Sequence, residues 1–164
     1  MIVRRARTGD IKAIRSLVDT YTADRRLLSK ATVTLYEQVQ EFWVAADDDG
    51  TVAGCGALHV MWEDLAEIRT VAVDPARRGQ RIGHRIVAAL LDEARALGVA
   101  RVFCLTFETR FFGSFGFTEI DGAPVPHTVY EQLLRSYDEG VAEFLDLERV
   151  KPNTLGNTRM LLHL

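Results

Sequence analysis

The stretch Arg77-Arg78-Gly79-Gln80-Arg81-Ile82-Gly83-His84-Arg85-Ile86-Val87 follows a strand-like run ending at Asp74-Pro75 and opens a segment with apolar residues at helical spacing. A glycine-containing turn at a helix start gathers unpaired backbone N–H groups at the positive end of the helix dipole, a combination that takes anions, phosphate above all. Spacing excludes two common phosphate loops. No Lys-Ser/Thr follows Gly83, as a P-loop requires, and no Gly-x-Gly-x-x-Gly fingerprint is present. One residue disturbs the pattern, because Arg81 stands between the glycines. Main-chain contact to an anion tolerates it if its side chain points outward and its φ stays negative.

Other chemistry-bearing residues read more plainly. Cys55 and Cys104 lie in apolar, strand-like runs without metal-ligand spacing, which predicts reduced, buried structural cysteines. His59, His84, His127 and His163 show no metal spacing either, so no metal is expected. The chain has 164 residues, 48% of them apolar, enough for one globular domain over 1–164 with an ordinary core. A net charge of −3 argues against a dedicated nucleic-acid binder. No apolar leader or stretch of membrane-spanning length is evident, so no membrane partner and a cytoplasmic location are expected.

The elements that must position the loop follow from periodicity and turn residues. Ile2 to Ala6 reads as a strand, and Thr8 or Asp10 can cap a helix with Ile11, Ile14, Leu17 and Val18 on one face. A second helical segment runs through Leu35, Tyr36 and Val39. Two strands joined by Asp47-Asp48-Asp49-Gly50 form a hairpin, and a third strand, Ala66 to Val73, follows. The helix after the loop places Ile82, Ile86, Leu90, Ala94 and Leu97 at core spacing, with Gly98 as its C-terminal cap. Ala100 to Phe107 is a nearly continuous apolar run, hence a central strand covered on both faces. A short helix closed by Gly116, a strand at Phe117 to Ile120, a helix from Pro126 through Tyr130, Leu133, Leu134 and Tyr137, and a strand at Thr158 to Leu162 complete the chain. A mixed sheet flanked by helices, and so an α+β fold, is predicted.

Two motifs in this order resemble a known family. Val71 to Ala94, with Arg78-Gly79-Gln80-Arg81-Ile82-Gly83 at its centre, resembles motif A of the GNAT superfamily of acetyl-CoA-dependent N-acetyltransferases. Downstream, Arg110-Phe111-Phe112-Gly113-Ser114-Phe115-Gly116-Phe117 resembles that family's Phe-Tyr-x-x-x-Gly-Phe motif, and the Asp-Gly hairpin fits as well. The resemblance implies a mostly antiparallel central sheet and acetyl-CoA as co-substrate. It implies that the amides from Arg78 through Gly79, Gln80, Arg81, Ile82 and Gly83 to His84 hold the coenzyme pyrophosphate, that Val71, Ala72 and Val73 pair with the pantetheine arm, and that Phe112 and Ser114 lie beside the thiol. Two positions depart from the family pattern: Arg81 stands for the first motif glycine and Phe112 for the tyrosine that many members use as general acid.

On the acceptor side, an ammonium has no lone pair, so direct transfer needs a base. Glu67 occupies a strand position where some GNAT members carry that base. The whole chain looks most like the short, stand-alone N-acetylglutamate synthases of bacterial arginine biosynthesis, whose last strand resembles Asn157-Thr158-Arg159-Met160-Leu161. That likeness implies an α-carboxylate to be bound by arginine or lysine. Strand alternation puts Arg69 on the face of Glu67, and Arg26, Lys30, Arg110 and Thr158 are further candidates. A polyamine, a protein N-terminus or an antibiotic amine as acceptor, a non-catalytic acyl-CoA-binding module, and assembly as a homodimer stay open at this stage.

Overall fold

The computed structural model describes residues 1–23, 27, 30–147 and 156–164. Strands are β1 (Ile2–Arg5), β2 (Phe42–Ala46), β3 (Val52–Trp62), β4 (Leu65–Val73), β5 (Arg101–Thr106), β6 (Thr118–Glu119) and β7 (Thr158–His163). Helices are α1 (Ile11–Ala23), α2 (Thr32–Glu37), α3 (Ile82–Ala96), α4 (Thr109–Gly113), α5 (His127–Leu133) and α6 (Glu139–Phe144). Most strand pairing is antiparallel, in an α+β arrangement. The chain divides into two compact units, one of Met1–His59 and Ile68–Leu97, the other of Val60–Glu67 and Gly98–Leu164.

In the first unit, β1 pairs antiparallel with β2 and β2 with β3. Gly50, at φ 88°, closes the β2–β3 hairpin where a side chain would be strained. Ile11, Ile14, Leu17 and Val18 of α1 are all buried and pack with Leu35, Phe42, Val44, Cys55, Ala57 and Ala72. Each full burial of an aliphatic side chain contributes roughly 1.5–3 kcal/mol. Helix α3 buries Ile82, Ile86, Val87, Leu90, Leu91 and Ala94 and ends before Gly98 at φ 84°. Two glycines of β3 set how closely α3 approaches. A Cβ at Gly54 would lie 2.9 Å from methyls of both Ile82 and Ile86, and one at Gly56 2.8 Å from Ile86.

In the second unit, β5 pairs parallel with β4 over Leu65–Arg101, Ala66–Val102 and Glu67–Phe103. A parallel pair needs a long crossover, supplied by the connection containing α3. Strand β7 lies between β5 and β6, antiparallel to both. The core gathers Met61, Leu65, Phe103, Leu133, Val141, Phe144, Leu145 and Leu161, with Phe103 and Phe144 edge-to-face at 5.0 Å. Arg159 ties it together, donating to the carbonyls of Glu143 at 2.8 Å, Phe144 at 2.5 Å and Gly122 at 2.8 Å while its guanidinium lies over the Phe103 ring.

Several expectations need correction. Leu97 is 55% exposed and outside the core, because α3 has already turned it past the sheet-facing stripe. The helix expected to run from Pro126 through Tyr137 spans only His127–Leu133, and Leu134 and Tyr137 beyond it are exposed. Helix α6 was not anticipated: six residues including Gly140 give no readable period, and the helix is held by burial of Val141, Ala142 and Phe144.

Candidate active site

The first unit contains the candidate anion loop. Asp74 accepts from the Ala76 N–H at 2.9 Å, which tightens the turn at Pro75, and Arg77 pairs with Asp47 at 2.5 Å and with the Gln80 side chain at 3.1 Å. The side chain of Gln80 is thus committed within the loop, leaving its main chain for a ligand. Gly79 takes φ 84°, and Arg81, the residue preceding α3, takes φ 57° and ψ 23°. The expectation of negative φ at Arg81 is therefore wrong. Arginine supplies the left-handed turn that a glycine would supply without strain, because α3 is fixed by its own burial and the chain must enter it at this angle.

A left-handed residue followed by helical ones turns successive N–H groups toward one side and makes an anion-binding concavity. The first i to i−4 bond of α3 runs from Arg85 N–H to Arg81 C=O at 3.1 Å, so the amides of Ile82, Gly83 and His84 precede it at the positive helix end. Arg78 and Arg81 are exposed at the rim, and nothing lies within 4 Å of a Cβ placed on Gly79. These donors and cations fit a pyrophosphate. Val71, Ala72 and Val73 end β4 directly before the loop, but the Val73 carbonyl already accepts from the Tyr21 hydroxyl at 2.5 Å. Thr70, upstream of them, has φ 58°, an uncommon conformation for a β-branched residue. Arg69 and Lys30 are partly buried in this unit, and Arg26 lies outside the described residues.

The second unit holds the remaining candidates. Glu67 is 5% exposed, a buried carboxylate on β4. Its charge is felt by Arg159, whose pKa burial lowers and nearby acids, Glu67 among them, partly restore. Cys104 feels it too: burial first, then Glu67, drives its thiol far above the ordinary range. Phe112 is buried edge-to-face against Phe111 and Phe117, while the exposed Ser114 donates its hydroxyl to the Phe111 carbonyl at 2.6 Å. Arg110 is exposed on α4, and Thr158 is partly buried at the start of β7. Sequence reasoning singled out neither Tyr21 nor Thr70. Tyr21 carried a signal only as an extra polar tip on the apolar face of α1, and a left-handed threonine leaves none.

The model described as acetyltransferase (GNAT) family matches residues 11–117, a range that includes the loop at the start of α3, the strand before it and the Phe-rich segment. The chain belongs to the GNAT acetyltransferase family. An amino-acid acetyltransferase of Mycobacterium tuberculosis is 65% identical over 163 residues, covering 98% of this GNAT chain and 93% of that protein. The crystal structure of Rv2747 from Mycobacterium tuberculosis, solved in complex with CoA, matches at TM-score 0.95 and 64% identity over 100% of this chain and 99% of that one. The N-acetylglutamate synthase of Neisseria gonorrhoeae, complexed with coenzyme A and N-acetyl-glutamate, matches at TM-score 0.78 and 25% identity, covering 99% of this chain but 35% of that one. This GNAT protein is an acetyl-CoA-dependent acetyltransferase of the amino-acid acetyltransferase type. Among the described residues, no group of three His, Cys, Asp or Glu could hold a metal ion, and no helix is long and apolar enough to cross a membrane.

Proposed function

We propose that the protein transfers the acetyl group of acetyl-CoA to the α-amine of L-glutamate or L-glutamine, the first step of arginine biosynthesis, with residues 1–164 acting as one acetyltransferase domain. The observation that carries the coenzyme half is the loop geometry: Gly79 and Arg81 in left-handed backbone immediately before α3. In this reading the main chain from Arg78 to His84 holds the pyrophosphate and the end of β4 aligns the pantetheine arm. The acceptor assignment draws on the likeness to the amino-acid acetyltransferase and to the synthase complexed with N-acetyl-glutamate. Arg69 is the leading partner for the α-carboxylate, with Lys30, Arg110, Thr158 and Arg26 as further contacts.

Glu67 takes a proton from the acceptor ammonium, directly or through water. The freed nitrogen attacks the thioester carbonyl carbon, a C–N bond forms, the nitrogen gives up its surplus proton to water, and collapse of the tetrahedral intermediate breaks the C–S bond and expels the thiolate with its electron pair. A coenzyme thiol with a pKa of about 8.5 can leave partly unprotonated at neutral pH. That suits a site in which Phe112 replaces the tyrosine and Ser114 spends its hydroxyl proton on Phe111. Direct attack is favoured over a cysteinyl intermediate because both thiols are buried and Cys55 is pushed up to about 12 by burial.

The test is thiol release from acetyl-CoA by purified protein against glutamate, glutamine, spermidine and peptides. Release with glutamate or glutamine is expected; release with spermidine but neither amino acid overturns the acceptor assignment. Glu67→Gln should lower turnover at neutral pH by roughly 100-fold or more with acetyl-CoA affinity nearly unchanged, and unchanged turnover removes Glu67 from the reaction.

A further inference from the structure

The end of β4 is braced by side chains whose polar atoms are spent on its main chain. Thr70 breaks the pleat at φ 58°, which turns peptide groups on either side away from regular ladder positions. Cys55, fully buried on β3, meets that break: its thiol donates to the Thr70 carbonyl at 3.6 Å. That carbonyl immediately precedes Val71. Two residues on, the Tyr21 hydroxyl of α1 donates to the Val73 carbonyl at 2.5 Å, and Asp74 N–H bonds Ala53 C=O at 2.9 Å. The carbonyls of Thr70 and Val73 are therefore each held by a side chain from outside β4.

We propose that Cys55 and Tyr21 are positioning residues for the coenzyme, a two-point brace that holds the main chain of Val71–Val73 in the shape on which the pantetheine arm pairs. The proposal rests on the coenzyme reading above. A core cysteine filling space would be replaceable by any apolar group of its size, and a helix tyrosine need not reach a strand carbonyl. Here both polar tips converge on the segment adjoining the loop read as the phosphate site.

The experiment combines amide hydrogen exchange at residues 71–73, with and without coenzyme A, and steady-state kinetics for the wild type, Tyr21→Phe, Cys55→Ala and Cys55→Ser. Coenzyme A should protect these amides in the wild type, and absence of protection overturns the coenzyme reading itself. With that protection present, Tyr21→Phe and Cys55→Ala should each raise the acetyl-CoA KM by roughly three- to tenfold, the worth of one lost hydrogen bond. They should weaken the protection and leave the amino-acid KM unchanged. Cys55→Ser, which keeps a donor, should recover most of the loss. Wild-type protection and acetyl-CoA KM in both Tyr21→Phe and Cys55→Ala overturn the brace while the coenzyme reading stands. So does an equal rise in both KM values accompanied by a lower melting temperature, which marks a merely structural role. If Cys55→Ala does not fold, Tyr21→Phe and Cys55→Ser decide.

Discussion

Gly54→Ala tests whether the anion loop is set by the approach of α3 to β3. The added Cβ would sit 2.9 Å from Ile82 Cγ2, 2.9 Å from Ile86 Cδ1 and 3.2 Å from the Ala72 carbonyl oxygen. Carbon atoms pack best at about 3.5–4.0 Å, so two contacts are too short by more than half an ångström. The Ile86 terminus can swing away, but Ile82 Cγ2 lies one bond from the branch and the Ala72 oxygen is backbone. The helix start must therefore move. Overpacking of this kind costs roughly 1–3 kcal/mol, less roughly 0.4–1 kcal/mol recovered from the stiffer unfolded chain. At the middle of those ranges the net cost is about 1.3 kcal/mol, which for a chain of this size lowers the melting temperature by about 3–5 °C. Because Ile82 is the first residue of α3, the same displacement shifts the amides proposed to hold phosphate, and coenzyme A affinity by calorimetry should fall by roughly tenfold, the cost of one weakened charge-assisted hydrogen bond. Gly9→Ala, where nothing lies within 4 Å of the new Cβ, is the control and should change neither quantity. A Gly54→Ala protein that melts and binds like the wild type refutes the reasoning.

Arg81→Gly should preserve or raise the melting temperature: removing a left-handed arginine relieves roughly 1–2 kcal/mol against roughly 0.5–1 kcal/mol of added chain entropy, whereas Arg81→Val should lower it. A clear drop with glycine would show that the side chain, not the backbone, is what the loop needs. Asp10 accepts from Arg4 at 2.7 and 3.1 Å and from the Arg7 N–H at 2.7 Å, and these bonds, Arg4 first, hold its carboxyl below the ordinary 3.8. A depressed folded pKa contributes stability above the ordinary value that is lost as pH falls through the folded one. Asp10→Asn should therefore cost roughly 1–3 kcal/mol at neutral pH and flatten the acid limb of the stability profile; an unchanged limb counts against the pair. Burial pushes Cys55 up to about 12 and Cys104 higher still, so at mildly alkaline pH a thiol reagent should titrate neither in the native protein and both after denaturation. Prompt native reaction would refute that burial.

Local pattern made part of the fold readable before any packing was known. The face of α1, the stripe of α3 with Gly98 beyond it, the Asp-Gly hairpin and the doubly covered β5 were legible because apolar period and turn chemistry are properties of neighbouring residues. The loop was legible for the same reason, as a strand end, glycines and a helix start in succession. Tertiary structure alone decided the rest. Whether Arg81 takes positive φ depends on where a buried helix must begin, since arginine prefers no such conformation. The twist at Thr70, and the thiol and hydroxyl that meet β4 from β3 and α1, exist only once those elements pack. Strand β7 enters beside β5 through pairing between residues more than 50 apart, which no local period encodes, and α6 is a helix because Val141, Ala142 and Phe144 find a core to enter. The burial of Glu67 belongs to the same group: a carboxylate on a strand reads as solvated until the surrounding unit closes over it.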